Sequence, residues 1–237
     1  MVEDPGMFLG HYGVAFALKR AEPKLSLGTL FVAVQLADLL WGVFILLGWE
    51  HANLVSSTPN TPIEFVDYPI SHSLAGAIAW SIAAAALYYS WPTRDTSRHW
   101  QAAAVVGLAV LSHYPLDVMV HLRDLPLTGN DSTKLGLGLW NHPTATLILE
   151  TLTLAAGVAV YVARGPKRHP VRRGRLLILL LVLVGAYLAS SYAPAPPNMT
   201  VVGVSVIVLI LFVAALAGWA DQRSTQQELV GRGSHRR

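Results

Sequence analysis

The chain has 237 residues, of which 53% are hydrophobic and only 13% are charged. This composition, with a mean hydropathy of +0.46, excludes a soluble domain of this size and predicts an all-α polytopic membrane protein. The formal net charge is +3, and cysteine is absent. Disulfides and thiolate metal sites are therefore excluded, and any transition-metal site must use histidine, aspartate and glutamate.

Six apolar segments are long enough to cross the hydrocarbon core, which needs about 20 residues. They are residues 25–48, 69–91, 100–122, 140–163, 176–192 and 199–220. A shorter apolar segment, residues 6–18, precedes them and predicts a partly inserted helix. We therefore expect a helix bundle with six long spans plus a short N-terminal helix.

Basic residues are concentrated in alternate connecting loops. Lys and Arg precede the first long segment and follow the second, fourth and sixth, whereas loops 50–67 and 193–198 contain neither. The positive-inside rule then places the basic loops and the C-terminus on the cytoplasmic side of the membrane. We expect this membrane to be a bacterial or archaeal cytoplasmic membrane. Because the basic residues lie at the helix ends, we expect no nucleic-acid partner.

The distribution of ionisable residues divides the chain into parts. Residues 1–163 carry polar side chains inside their apolar segments and predict a metal-site core of the short helix plus four spans. Residues 164–175 predict a basic cytoplasmic loop. Residues 176–220 predict two scaffold spans without ionisable residues in their interiors. Residues 221–237 predict a disordered cytoplasmic tail.

Three metal-ligand side chains interrupt the third apolar segment at intervals of four residues, namely His113, Asp117 and His121. On a helix, four residues advance by about 400° and rise by about 6 Å, so the three share one face. Ionisable residues inside a span are costly and mark function by default. The alternative is a pair of interfacial histidines with a hydrogen-bonded structural acid. Pro115 predicts a kink or break that would suit a site open to water.

Other apolar segments carry further candidates. Asp38 has no local cation and needs a partner from another helix, which favours a metal or a histidine over a hydrogen-bonded acid. His72 fits a ligand or an ordinary polar helix start equally well, and His11 fits a ligand or close packing. His142 and Glu150 are stronger as a pair than singly, with a buried hydrogen-bonded acid as the alternative. The candidate metal ligands are His11, Asp38, His72, His113, Asp117, His121, His142 and Glu150.

The order of these candidates along residues 6–150 resembles the bacterial membrane-bound predicted metal-dependent hydrolases described as LexA-binding inner-membrane hydrolases. The run His113-Tyr114-x-x-Asp117 is also similar to the zinc-dependent phospholipase C and single-strand nuclease superfamily, in which a helix supplies such ligands to clustered zinc ions. The resemblance implies phosphoester hydrolysis with two or more zinc or similar divalent ions. The chain departs from the soluble enzymes at Thr146, which stands where an acid would follow His142 by four residues.

We therefore predict a membrane-embedded metal-dependent hydrolase that acts on a lipid or lipid-linked phosphoester at the outer face of the membrane. Asp117 and His113 are the predicted catalytic residues, because Asp117 can bridge two ions and a metal-activated water would be the nucleophile. Few basic residues lie on the predicted outer side, chiefly Arg123 and Lys134, which favours a metal as the electrophile.

Two alternatives remain open at this point. The first is a divalent metal cation transporter, because His-x3-Asp in a six-span core also resembles cation diffusion facilitators. Most candidate ligands lie toward one side, however, whereas a transporter needs a site that opens alternately to both sides. The second is a non-enzymatic membrane scaffold in which a metal only holds helices together.

Overall fold

The computed structural model of the protein describes residues 9–55, 63–92, 99–163, 173–192 and 194–222. In these ranges the chain is mostly helical, as its composition predicts. The helices are α1 (Leu9–Ala21), α2 (Leu27–Val34), α3 (Leu36–Leu47), α4 (Pro69–His72), α5 (Leu74–Ser90), α6 (His99–Leu111), α7 (His113–Val120), α8 (Pro143–Val162), α9 (Arg173–Tyr192) and α10 (Met199–Asp221). The short antiparallel hairpins are β1 (His51–Leu54) with β2 (Ile63–Asp67), and β3 (Leu125–Pro126) with β4 (Lys134–Leu135).

The prediction of six long spans is wrong for the part of the chain that the structure describes. Four helices there are long and apolar enough to cross a membrane, namely His99–Val120, Pro143–Val162, Arg173–Ser190 and Met199–Asp221. The pair α2 and α3, bent by 57°, is a fifth candidate if it counts as one span. Helix α5 is apolar but has only 17 residues. The described residues therefore include the helices of an integral membrane protein, with four candidate spans, or five with the bent pair.

Two local backbone changes account for the shorter helices. At Gln35 the backbone leaves helical geometry, with φ −112° and ψ 16°, and divides the first apolar segment into α2 and α3. At Ser73 the backbone is extended, and the hydroxyl accepts a hydrogen bond from the backbone N–H of Gly76. Serine in this position is a typical helix cap, so the second segment becomes the single turn α4 followed by α5. Hydropathy averaged over a span detects neither change.

Small residues allow several helices to pack backbone against backbone. Helix α1 lies against α8 so closely that a Cβ atom on Gly157 would overlap the carbonyl group of Gly13. Helix α10 packs against α3 where Gly42 meets Gly203, and against α2 at Gly28. Small residues at helix interfaces are typical of membrane bundles, where they permit close approach. Helix α10 therefore supports both halves of the bent pair directly.

The two ends of the bundle differ in character. At one end, Lys19 of α1 forms an ion pair with Asp221 of α10 at 2.6 Å, and Arg175 of α9 donates a hydrogen bond to the Trp219 carbonyl at 2.8 Å. The start of α1, the end of α7 and both hairpins lie at the opposite end. The β1–β2 hairpin lies within residues 50–67, which the sequence predicts to be a loop.

Several predicted cytoplasmic segments fall outside the described residues. These are residues 93–98, most of the basic loop at residues 164–172, and the tail at residues 223–237.

Candidate metal centre

Six of the eight predicted ligands lie together at the end of the bundle that carries the hairpins. They come from the first turns of α1 and α3, from the end of α4, and from α7 with the residue that follows it. These six residues, called the cluster below, are His11, Asp38, His72, His113, Asp117 and His121. All are buried except Asp38, whose side chain is 30% exposed.

A break in the third apolar segment precedes the central ligands. The helix is interrupted at Ser112, three residues before Pro115. Pro115 has no N–H group to donate to the Leu111 carbonyl one turn earlier, which weakens the helix at this point. His113 and Asp117 both follow the break and stay one turn apart in α7, with His113 Nε2 3.0 Å from Asp117 Oδ2.

The imidazoles of the cluster converge on the carboxylate of Asp117. Its Oδ1 atom lies 3.3 Å from Nε2 of His11. Its Oδ2 atom lies 3.0 Å from Nε2 of His113, 3.8 Å from Nε2 of His72 and 4.0 Å from Nε2 of His121. Four histidines therefore direct the same ring atom at one acid.

Asp38 supplies a second carboxylate. Its Oδ1 atom lies 3.2 Å from Nε2 of His72 and 3.7 Å from Nε2 of His113. Asp38 comes directly after the bend at Gln35, in the first turn of α3. The ligand atoms of the cluster form two overlapping groups within 4.8 Å, and His113 belongs to both. One group adds His11 and Asp117, and the other adds Asp38 and His72.

A hydrogen bond at the edge of the His113 ring that faces away from the other ligands determines which ring nitrogen faces the cluster. The Nδ1 atom lies 2.8 Å from the carbonyl oxygen of Val34, the last residue of α2. A carbonyl only accepts, so Nδ1 carries the hydrogen. A neutral His113 then directs the lone pair of Nε2 at Asp117 and Asp38, as metal-ligating histidines do.

His72 is oriented by a chain of two buried residues. Oε2 of Glu50 accepts a hydrogen bond from the Ser71 hydroxyl at 2.6 Å, and Oε1 accepts one from the Ser71 backbone N–H at 2.8 Å. The hydroxyl hydrogen of Ser71 is directed at Glu50, so the hydroxyl oxygen of Ser71 can only accept from His72. Nδ1 of His72 therefore donates a hydrogen bond to the Ser71 hydroxyl oxygen at 2.7 Å. A neutral His72 therefore also turns the Nε2 lone pair toward the carboxylates.

The hydrogen bonds made by Nδ1 of His72 and Nδ1 of His113 make a cation in the cluster favourable. A lone pair that faces a carboxylate oxygen at 3.0–3.2 Å is repelled unless a positive charge lies between them. Charge-assisted N–H···O bonds are usually shorter, about 2.7–2.9 Å. Tetrahedral ligands about 2.1 Å from one zinc ion stand about 3.4 Å apart, close to the distances seen here. The cluster can therefore hold a metal ion.

Buried nitrogen atoms without hydrogen-bond partners also favour a bound cation. Both ring nitrogens of His11 and Nε2 of His113 are buried without a hydrogen-bond partner among the described residues. Buried polar atoms in proteins are normally paired. A small cavity of about 10 Å³, room for about one water molecule, adjoins His72, His113 and Asp117. The donor set and the cavity both fit a bound cation.

His121 is at the margin of the cluster. Helix α7 ends at Val120, so His121 no longer follows the helical path that the spacing predicts. Its Nδ1 atom lies 3.1 Å from Oδ1 of Asp124, and its ring packs on Trp140 at a centroid distance of 3.9 Å. His121 therefore has the longest distance to Asp117 of the four histidines.

Tyr68 adds a neutral hydroxyl group beside the cluster. Its ring lies 5.4 Å from that of His72 and 6.4 Å from that of His121, measured between centroids. Burial raises the pKa of the Tyr68 hydroxyl well above its ordinary value of about 10, and the charges of Asp124 and Asp117 raise it further. Tyr68 therefore keeps its hydrogen and can donate it in a hydrogen bond.

His142 and Glu150 lie outside the cluster. Helix α8 begins only at Pro143, so His142 is not on the helix and does not share a face with Glu150. The His142 side chain is exposed. Glu150 is fully buried, and its Oε2 atom accepts a hydrogen bond from the backbone N–H of Leu9 at 2.8 Å. A carboxylate at the start of α1 is favourable because the helix terminus is positively polarised.

Sequence reasoning missed the residues that orient the histidines. Glu50 lies in loop 50–67, Asp124 follows the third apolar segment, and Ser71 precedes His72, but the sequence alone assigns no role to any of the three. The available signal was an acid immediately after the first apolar segment and another three residues after His121. The partner of Glu50 could not be deduced from the sequence, because Glu50 meets Ser71 only after the β1–β2 hairpin returns the chain to the bundle.

Comparisons with protein-family models, with curated proteins and with solved structures found no match to this chain. The family resemblance of the sequence therefore rests on its residues alone.

Proposed function

We propose that the protein is a membrane-embedded metal-dependent hydrolase that cleaves a phosphoester of a lipid or lipid-linked molecule. The observation that carries the proposal is the shared orientation of His72 and His113. Their outer nitrogens are held by Ser71 and by the Val34 carbonyl, so that both Nε2 atoms face carboxylates.

The donor set favours zinc or a similar divalent ion, since it combines imidazoles and carboxylates without thiolates. Asp38, His72 and His113, together with Oδ2 of Asp117, form the more complete position. His11 and Oδ1 of Asp117 form a second. Because Nε2 has a single lone pair, His113 serves only one ion, and Asp117 is the residue that can bridge two.

A bound zinc ion would activate a water molecule and neutralise charge on the phosphoryl group. In the reaction, the water oxygen bonds to phosphorus, the bond between phosphorus and the ester oxygen breaks, and one proton of the water passes to that ester oxygen, which leaves as an alcohol. Asp38, as the partly exposed member of the cluster, marks the side of substrate entry. The Tyr68 hydroxyl, beside His72 and His121, is a donor for a substrate oxygen.

The orientation in the membrane follows from the basic residues. Lys19 and Arg175 lie at the bundle end opposite the cluster, where α10 ends. The positive-inside rule assigns that end to the cytoplasm. The cluster then lies at the outer face, and the C-terminal end of α10 is cytoplasmic.

Asp117→Asn tests this function, with Asp67→Asn as the matched control because the Asp67 side chain, at the end of β2, is 41% exposed and pairs with His51 rather than with a cluster residue. Metal content of the purified proteins is measured by mass spectrometry, and hydrolysis is measured on soluble and lipid phosphoesters. We expect wild type and Asp67→Asn to contain metal and to hydrolyse a phosphodiester, and Asp117→Asn to lose both properties. Metal-free wild type, or unchanged hydrolysis by Asp117→Asn, would overturn the proposal. Asp117-dependent metal flux into proteoliposomes without hydrolysis would favour a transporter instead.

A further inference from the structure

An apolar groove lies beside the cluster, between α2 and α3 on one side and α5 and α6 on the other. Its volume is about 520 Å³, within the range of roughly 300–1,000 Å³ that is usual for small-molecule sites. Leu36, Ala84 and Leu87 are among its mostly apolar lining residues. The groove is therefore large enough for a ligand, and its walls favour a hydrocarbon.

The groove begins at the cluster. Trp80 and Val110 line the groove and also line the small cavity beside His72 and Asp117. The Trp80 indole is held in place by a hydrogen bond from Nε1 to the Ile70 carbonyl at 2.8 Å. A ligand in the groove would therefore have one end next to the proposed metal ligands.

The direction of the groove follows helix α5. Trp80 and Trp91 both line it, and eleven residues of helix correspond to about 16 Å. The groove therefore leads away from the cluster, toward the bundle end that carries Lys19. Leu87 and Trp91 are 67% and 68% exposed, so this part is open along its side.

We propose that this groove binds one acyl chain of a membrane lipid whose phosphate group reaches the cluster. The groove is mostly apolar and is open along its side at Leu87 and Trp91, so the acyl chains that surround a membrane-spanning bundle have direct access to it. Its other end adjoins the cavity beside His72 and Asp117, where the phosphate group of such a lipid would lie.

Acyl-chain binding and lipid cleavage can be tested separately. Acyl-chain binding depends only on the groove. Cleavage of the bound lipid rests on the proposed hydrolase function. A binding experiment without turnover therefore tests the groove even if the protein hydrolyses nothing.

Ala84→Phe tests the groove, because it places an aromatic ring among the lining residues. Ala86→Phe is the matched control, since Ala86 is an exposed residue of the same helix that does not line the groove. Each protein is reconstituted in vesicles of phosphatidylethanolamine and phosphatidylglycerol that contain a phosphatidylglycerol with a diazirine in one acyl chain. After irradiation, crosslinked peptides are identified by mass spectrometry.

We expect crosslinks at groove residues such as Leu36 and Leu87 in wild type and in Ala86→Phe. In Ala84→Phe they should fall by about tenfold, the effect of roughly two methylene groups that lose apolar contact, while metal content stays unchanged. Equal labelling of Ala84→Phe and Ala86→Phe would overturn the proposal, as would labelling spread evenly over α8, α9 and α10. If Ala84→Phe does not yield folded protein, Ala83→Phe at the exposed rim of the groove repeats the test.

Kinetics then separate the two proposals. Ala84→Phe should raise KM for a long-chain phosphatidylglycerol by about tenfold, again from lost apolar contact, and should leave hydrolysis of a soluble phosphodiester unchanged. If Ala84→Phe hydrolyses both the lipid and the soluble substrate as wild type does, the hydrolase function stands and the proposed acyl-chain groove is rejected. If the groove is labelled but wild type hydrolyses neither substrate, acyl-chain binding stands and the hydrolase function is rejected.

Discussion

Nε2 of His113 lies 3.0 Å from Oδ2 of Asp117, one turn further along α7, while the other nitrogen of the same ring donates to a carbonyl of α2. The imidazole is therefore held from both sides, by its own helix and by a neighbour. Four of the six cluster residues lie inside α1, α3 and α7, so their positions depend on helix packing rather than on loops. Sites built on helices are held more exactly than sites built on loops.

Removal of metal should lower the thermal stability of the protein. A ligand at about 100 times its Kd stabilises the folded state by about 2.7 kcal/mol, and the buried carboxylates lose that compensation when the ion is removed. We expect a chelator to lower the Tm of wild type and added zinc to restore it, measured by thermal denaturation in detergent. Asp117→Asn should respond to neither treatment. A wild-type Tm that is indifferent to chelator and zinc would contradict a metal in the cluster.

Glu50→Gln should weaken metal binding without unfolding the protein. The glutamine keeps the size of the side chain but has only one acceptor oxygen for the two donors of Ser71, so the orientation of His72 is no longer maintained. Loss of such an outer partner usually lowers metal affinity by about 10–100-fold. Zinc titration by calorimetry measures the change. Glu64→Gln, at an exposed position of β2, should leave the affinity unchanged, and an equal loss in both variants would argue against a specific role of Glu50.

His121→Ala and His142→Ala should separate the margin of the cluster from the residue outside it. His121 lies 4.0 Å from Asp117 and also packs on Trp140, so we expect its replacement to weaken zinc binding by about tenfold, or about 1.4 kcal/mol. His142→Ala should bind zinc as wild type does. Equal losses of zinc affinity in the two variants would mean that His142 contributes to metal binding and that its position outside the cluster is not the one it has in the working protein.

Gly157→Ala should destabilise the protein and displace α1. Its Cβ atom would overlap the backbone of Gly13, two residues after His11, and overpacking of this kind costs about 1–3 kcal/mol. Gly185→Ala in α9 is the control, because its Cβ atom meets nothing within 4 Å. There we expect unchanged or higher stability, by up to about 1 kcal/mol. Thermal denaturation with zinc titration measures both effects, and a stable Gly157→Ala protein with full zinc affinity would contradict the close α1–α8 contact.

Tyr68→Phe should reduce the loss of stability at high pH. Below about pH 10, Tyr68 is protonated in the folded and unfolded states and contributes no pH dependence. Above about pH 10, the unfolded chain releases this proton, whereas burial raises the pKa of Tyr68 and the folded protein retains it. Stability therefore falls as pH rises, and Tyr68→Phe removes this contribution. Tm measured between pH 8 and pH 11 should decline less steeply in the variant, and parallel curves would show that Tyr68 is ionised as easily in the fold as outside it.

The sequence allowed the helical class and most members of the cluster to be predicted for physical reasons. An acid in an apolar run has no local partner, so Asp38 had to meet groups from another helix, and the structure places it beside His72. The spacing of His113 and Asp117 required only that both stay on one helix, and they do. These inferences depend on local periodicity and on the cost of unpaired charge.

The remaining features depend on backbone changes and distant contacts that periodicity does not encode. A span count from hydropathy fails where Gln35 bends the chain by 57° and where Ser73 starts a new helix. The pairing of His142 with Glu150 required a helix that includes His142, whereas α8 begins one residue later, at Pro143. The role of Glu50 depends on a hairpin whose strands are brought together only in the fold.

The cluster also bears on the biogenesis of the protein. Its residues are separated along the chain, from α1 to the end of α7, and no single helical hairpin contains both carboxylates with a histidine from α1. A nascent chain arrested before α7 has emerged would lack His113 and Asp117, the residues on which the other imidazoles converge. Zinc uptake by truncated chains of increasing length would therefore report when insertion of the front half of the bundle is complete.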